Sequence, residues 1–550
     1  MALLHRLQNS CLPLSALAVA LAMASVLLLT SPMLPMTWDE GDSLRRAAQI
    51  GDGRWEFTTE REGHPAGYGI LIGMGWWLAD GWLPPLTAAR LGPILLFAAA
   101  TGTLFYCLAK DHSWAAGMGG AAALMLLPRV FAHAHIAGGD GPLTACWILT
   151  WAAFGSAREG CKGAVFWGAL LGLTLSMKAT GWLAPVPFML WAALYRDRLA
   201  ARAFVVGVPV ALGVFFLMNP PLWQHPIGWV TFFRLNLGRA DEGLNISTWF
   251  LGHMYNLDHP LPWYNTLLWT AITVPLGLLS LVGIGLVAIL RRPGSRSTDV
   301  LILFNGLILL VVRALPSVPV HDGVRLFLPS FAFLAAIAGI GVHEVLQCAS
   351  RHGCPQRRPR ALTGSVLLLL YAVCSMNVWL YAPQWLSYYS ILIGGLPGAV
   401  ANGMEPTYWW DAFDDDVLHW LHTNTDRGEK IRFGAASPEN LRWLNRWDVL
   451  RRGWHESQPG PYRWYVIQHR PSAWQPHDWW LLESARPAYR KTLLGVPLLS
   501  VYEYDDFVRL KTSAKAYRRA DASCSTREHT KAYDTTTGSP RRCISFPPLQ

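Results

Sequence analysis

Long apolar stretches separated by short polar clusters occupy the first 381 residues. Uncharged runs at 7–38, 91–109, 203–233, 259–290 and 326–343 reach or approach the roughly 20 residues that a helix needs to cross a bilayer. Taking each apolar stretch in turn predicts eleven spans, at about 11–31, 86–108, 114–131, 142–157, 163–178, 181–195, 203–218, 263–290, 299–313, 325–347 and 361–381. The stretch 63–79 is left out. It is followed by Asp80, a Gly-Trp-Leu-Pro-Pro turn and a further apolar run, and it is expected as a short interfacial helix. The first span is expected as an anchor, because its uncharged stretch is long for a cleaved signal. After residue 381 the pattern changes. A helical stretch around 411–422 leads into segments at 429–434, 463–468 and 493–504 that read as strands. This predicts a polytopic α-helical membrane module at 1–381 followed by a small α/β domain at 382–510. The segment 511–550 is polar and poor in aliphatic residues, and is expected to be disordered. No internal repeat is visible.

Composition fits this pattern. The 550 residues are 52% hydrophobic and 15% charged, with a mean hydropathy of +0.24, against roughly 25% charged for soluble domains. A soluble globular protein, a nucleic-acid binder and a secreted disulfide scaffold are excluded. The net charge of +10 changes the picture only through its placement. Arg158 with Lys162, Arg196 with Arg198 and Arg202, Arg291 with Arg292 and Arg296, and Arg351 with Arg357, Arg358 and Arg360 all sit in short loops between apolar runs. Basic loops of that kind face the cytoplasm. An odd number of spans then puts the C-terminal domain on the exoplasmic (periplasmic) face of the cell's inner membrane. Many of the 28 tryptophans stand at the ends of apolar runs, as interfacial belts do. The 9 cysteines show no metal-ligand spacing and read as small hydrophobes. Cys524 and Cys543 would pair only on an oxidising face.

Charge near a span is costly, so the charges that persist there are candidates for function. Asp39 and Glu40 follow the first span directly; one of them would suffice as a helix cap. Asp140 is the only acid between two spans and stands before Pro142, where capping again competes with chemistry. His133 and His135 fit satisfied interfacial histidines better than metal ligands. Lys178 interrupts one apolar stretch and Arg325 opens another, and snorkelling is the plain alternative for both. Yet these cations, with Asp39, Glu40, His64 and Asp140, all fall on the exoplasmic side, where positive charge is least expected. Acids and bases from separate loops on one face imply one polar site. Its carboxylates suit a general base or metal ligands, and its cations suit a phosphate.

In this order the residues resemble the GT-C superfamily of integral-membrane glycosyltransferases, in the branch of the protein O-mannosyltransferases and the aminoarabinose transferase of lipid A (family 39-like). The residues that carry the resemblance are Trp38-Asp39-Glu40, His64-Pro65, Asp140, Lys178-Ala-Thr-Gly181 and Arg325-Leu-Phe-Leu-Pro329, over roughly residues 10–350. The resemblance implies an inverting transfer of a sugar from a polyprenyl-phosphate-linked donor to an acceptor hydroxyl on a glycan, lipid or protein. It implies Asp39 as catalytic base, with Glu40 and Asp140 orienting the acceptor or sharing a divalent cation, Mg2+ or Mn2+. Arg325 first and Lys178 second would bind the donor phosphate, with His64 and His321 in support. Asp140 stands alone rather than in a DxD pair, which leaves the metal open. No Gly-rich nucleotide loop is present, and a lipid-bound donor needs none. In the C-terminal domain, ten tryptophans between Trp409 and Trp480 suit packing ahead of sugar stacking. Two competing readings are a secondary transporter and an inactive scaffold of the same fold.

Overall fold

The computed structural model describes residues 2–512, apart from 56–62, 226, 238–245, 292–296, 317, 320, 352–357, 435, 452–453 and 455–460. Expectations resting on Arg292, Arg296 and Arg357 lie outside the described residues. So do those for Cys524, Cys543 and the tail beyond Thr512.

The chain is a multi-pass α-helical membrane protein. Helices lie on every stretch expected to span. Among the described residues, Cys11–Met33, Pro85–Asp111, Arg198–Leu217, Gly323–Ser350 and Ala361–Leu380 are each long and apolar enough to cross a membrane. Leu29, Val205 and Leu368, on three of them, are 79%, 75% and 73% exposed, a surface suited to lipid rather than water. Where helices touch, small residues let the backbones approach. A Cβ on Gly168 would stand 2.4 Å from the Gly207 carbonyl, and one on Gly341 would stand 2.1 Å from the Leu281 carbonyl.

Two expected spans are broken. The stretch 114–131 is the pair Trp114–Met125 and Pro128–His135, bent by 74°. The stretch 263–290 is Asn265–Thr273 followed by Leu276–Arg291. The cause is the same in both. Leu127 (ψ 100°) and Val274 (ψ 130°) are extended, the conformation that a following proline ring favours by crowding the helical one. The Gly67–Ala79 helix has 13 residues and so rises about 20 Å, short of a hydrocarbon core of about 30 Å. It packs against Pro85–Asp111, with Gly75 of one helix against Gly92 of the other.

Between Leu217 and Asn265 the chain forms the Gly228–Leu237 helix and a hairpin of β1 (Thr248–Phe250) and β2 (His253–Tyr255). The C-terminal part builds a sheet of β3 (Lys430–Gly434), β4 (Tyr462–Gln468), β5 (Tyr489–Leu493) and β6 (Val496–Glu503), in the order β3-β4-β6-β5. β3 and β4 run parallel and the other pairs antiparallel. The expected strand at 493–504 is the second arm of a hairpin turning at Leu494 (φ 50°) and Gly495 (φ 80°), the two positive φ values of a type I′ turn. β5 escapes the sequence pattern because Arg490, Lys491 and Thr492 give this edge strand no buried face. Helices Asp415–Asn424, Pro438–Arg446 and Pro476–Ser484 complete this region.

This sheet region is seated on the loop after the first span. Asn440 accepts from Gly41 N–H through Oδ1 and donates to the Thr37 carbonyl through Nδ2, both at 2.8 Å, and Trp443 Nε1 donates to the Gly41 carbonyl at 3.0 Å. Only glycine fits at 41, because a Cβ there would stand 2.5 Å from Asn440 N. Residues from both ends of the chain thereby meet around Asp39.

Candidate active site

The turn that presents Asp39 is fixed by its neighbour. Glu40 opens the Glu40–Gly51 helix, and its carboxylate accepts from Arg90 Nε and Nη2, both at 2.8 Å. It also accepts from Thr37 N–H at 2.8 Å and Ala137 N–H at 2.9 Å. The remaining Arg90 donors go to the carbonyls of Ser31, Leu34 and Pro35 at 2.8, 2.8 and 3.0 Å, so all five guanidinium N–H groups are used. Glu40 therefore ties the end of the first span to the loop that carries Asp140. The expectation places Glu40 beside Asp39 as an acid or metal ligand; the Glu40 side chain does not line the cavity described next.

That cavity, of about 360 Å3, is lined by Asp39, Asp140, Lys178, Arg325, His64 and His321, together with Asp322, Arg470, Tyr68 and the indoles of Trp38, Trp409 and Trp410. Five segments deliver the charges, and Arg325 gathers the acids. Its Nη2 lies 2.8 Å from Asp39 Oδ2, its Nε 3.1 Å from Asp140 Oδ2 and its Nη1 2.7 Å from Asp322 Oδ2. Lys178 Nζ lies 2.5 Å from Asp140 Oδ1. Helix capping explains neither acid. Asp39 makes no side-chain cap to the helix it precedes, and the Asp140 carboxylate turns to Lys178 and Arg325.

Aromatic rings wall the cluster. The Arg325 guanidinium lies 4.3 Å over Trp409. That of Arg470 lies 4.1 Å over Trp410, which stacks on Trp38 with ring centroids 3.9 Å apart. Asp322 and Trp410 hold φ of 62° and 58°, left-handed values that cost a non-glycine residue of order 1–3 kcal/mol and collect at functional sites.

The acids differ in exposure. The Asp39 side chain is 36% exposed, whereas Asp140 and Asp322 are 6% and 8% exposed. Asp39 is thus the most open of these three; Asp42, which also lines the cavity and is 35% exposed, pairs with Arg45 at 3.0 Å. Enclosure lifts the Asp39 pKa above the ordinary 3.8, outweighing the pull of Arg325. The same desolvation acts on Asp140, but Lys178 and Arg325 together overcome it and hold that carboxyl below 3.8. Burial also pushes Asp322 up, yet Arg325 and Arg470 bring it to about 2. Burial lowers His321 to about 3, so it is neutral at physiological pH.

The donor set does not fit the divalent cation considered from the sequence. Glu40 is spent on Arg90, and the two Asp140 oxygens meet Lys178 and Arg325. Among the described residues no group of three His, Cys, Asp or Glu is placed to hold a metal. His135 bonds with Thr30 Oγ1 and the Phe131 carbonyl at 2.7 Å, and His133 with the Tyr408 hydroxyl at 2.8 Å.

Asp322 and Arg470 are charged cavity residues that the sequence does not single out. Asp322 sits three places before Arg325, and Arg470 follows β4 in a region where an arginine is unremarkable. Arg90, the partner of Glu40, had a legible signal: it is a charge inside an expected span, which calls for a buried acid.

No family model matches the chain, and no curated protein matches it by sequence. Solved structures do match. ArnT from Cupriavidus metallidurans in the apo state superposes with a TM-score of 0.50 at 14% identity, over 88% of this chain and 97% of that one. The chain has the GT-C fold. The structure of the same ArnT bound to undecaprenyl phosphate gives a TM-score of 0.49 at 14% identity, with the same coverage. The apo oligosaccharyltransferase of Archaeoglobus fulgidus gives 0.43 at 12% identity, over 80% of this chain and 61% of that one.

Proposed function

We propose that this GT-C protein is an inverting glycosyltransferase that moves a sugar from a polyprenyl-phosphate-linked donor to an acceptor hydroxyl. The observation that carries the reading is the pairing of Asp39, an acid open to the cavity, with Arg325 at 2.8 Å. A base and a phosphate-binding cation are therefore within one hydrogen bond of each other. An alcohol is a poor nucleophile at neutral pH, and a carboxylate with an elevated pKa is the better base for it. Asp39 takes the hydroxyl proton as the acceptor oxygen attacks the anomeric carbon from the face opposite the phosphate. The bond from that carbon to the phosphate oxygen breaks, and the charge that collects on the lipid phosphate passes to Arg325 and Lys178. Asp140 keeps these two cations in place, and no step runs through a metal.

The fold shared with ArnT supports the reaction class. The placement of the basic loops supports a cavity on the exoplasmic (periplasmic) side of the inner membrane, with the N-terminus in the cytoplasm. A transport path would spread its charges across the membrane, whereas acids and bases from five segments converge here on one cavity. The acceptor is a hydroxyl on a glycan, lipid or protein. Mass spectrometry of surface glycans and membrane lipids, with and without the gene, tests the proposal. A sugar that disappears with the gene and returns with the wild type but not with Asp39→Asn supports it. Full restoration by a folded Asp39→Asn chain rejects it.

A further inference from the structure

Asp322 does more than add a third acid. It is delivered by a left-handed turn, with φ of 62° at Asp322 and 54° at Gly323, and its two oxygens are divided between two arginines. Oδ2 meets Arg325 Nη1 at 2.7 Å and Oδ1 meets Arg470 Nη2 at 2.9 Å. Arg470 is 2% exposed. It also donates to the Tyr408 carbonyl, and its Nε lies 3.8 Å from Glu405. A guanidinium held on so many sides in a nearly dry setting has little freedom to serve a ligand itself.

Its effect falls on Arg325. A carboxylate with a single cationic partner holds it unopposed, whereas a second cation on the same carboxylate repels the first and offsets part of that hold. Arg325 is held by Asp39, Asp140 and Asp322 together, and it can turn to an incoming phosphate only as far as those acids release it. We propose that Arg470 is a positioning residue of the phosphate site: by holding Asp322, it keeps the Arg325 guanidinium available to a lipid-linked phosphate. The assignment rests on the glycosyl-transfer reading, which is what brings a phosphate to Arg325. It gives the C-terminal sheet region a part in donor binding.

Undecaprenyl phosphate binding to the full chain in lipid nanodiscs tests this, with melting temperatures measured alongside. Arg470→Met is expected to weaken binding by roughly 10- to 100-fold, as loss of an orienting partner does. Asp322→Asn added to Arg470→Met is expected to recover most of that loss, because no uncompensated acid then holds Arg325. Arg470→Lys, which keeps a cation on Asp322, is expected to stay near the wild type. A merely structural Arg470 would lose binding only in step with the melting temperature, whereas a positioning residue weakens binding in a chain that is still folded at the assay temperature. Arg470→Met binding as tightly as the wild type overturns the assignment, and so does a double variant no tighter than Arg470→Met. Should Arg470→Met not fold, Arg470→Gln takes its place under the same criteria. If the wild type itself does not bind, or Arg325→Met binds as well as the wild type, the glycosyl-transfer reading fails instead.

Discussion

Arg90 and Glu40 face each other through two hydrogen bonds of 2.8 Å, and neither side chain has any exposed surface. Removing either member leaves an uncompensated charge in a dry site, at a cost of about 3–5 kcal/mol. Glu40→Ala and Arg90→Met are therefore expected to lower the melting temperature in detergent sharply, and with it the yield of folded protein. A Glu40→Ala chain with wild-type melting and no activity would return Glu40 to the chemistry.

Asp39→Asn keeps the size of the side chain and removes the base. Turnover is expected to fall by about 10²–10⁴-fold, the usual worth of a positioned general base, with the melting temperature little changed because this side chain is 36% exposed. Loss of activity together with loss of folding would point to a structural role instead.

The rate should carry the titration of Asp39. The base works only when ionised, and its pKa lies above 3.8. Activity should therefore rise with pH through that elevated value and then level off, and it should fall as acid protonates the carboxylate. Asp322, held at about 2, stays ionised throughout this limb. A kcat/KM profile measured downward from neutral pH checks it: a flat profile, in an enzyme that remains folded, removes Asp39 from the role of base.

Gly41→Ala places a methyl group 2.5 Å from the Asn440 backbone nitrogen, which no side-chain rotation relieves. Overpacking of that kind costs about 1–3 kcal/mol. It is expected to loosen the sheet region from the loop after the first span, seen as faster limited proteolysis between residues 425 and 462 and as lower activity. Proteolysis at the wild-type rate would show that the Asn440 and Trp443 contacts are not what holds the two together.

The orientation is open to a direct check. A single cysteine introduced at Arg358, in a chain otherwise free of cysteine, should react with a membrane-impermeant maleimide only after the cells are opened. Labelling from outside would reverse every assignment of side.

Much of the site could be read in advance because charge is scarce in an apolar chain. Asp39, Asp140, Lys178 and Arg325 stood out from their surroundings, and all four line one cavity. Arg470 did not, since a soluble segment is full of arginines and nothing local distinguishes one whose partner lies 148 residues away. Glu40 was drawn into the site by adjacency to Asp39, although successive helical residues point in different directions and its true partner, Arg90, is 50 positions on. The apolar stretches located the helices but not their breaks. Pro128 and Pro275 decide those, through a steric rule that average hydropathy cannot register.

Trp38 and Trp410 stack on each other in the wall of the cavity, yet the ribosome joins them about 370 residues apart, a delay of roughly 20–70 s at ordinary elongation rates. During that interval the loop that carries Asp39 exists without Trp410 and without Arg470. A chain that ends before residue 410 thus carries Asp39, Asp140, Lys178, Asp322 and Arg325 but not the whole wall around them. The cavity gains its full lining only once Arg470 has been made.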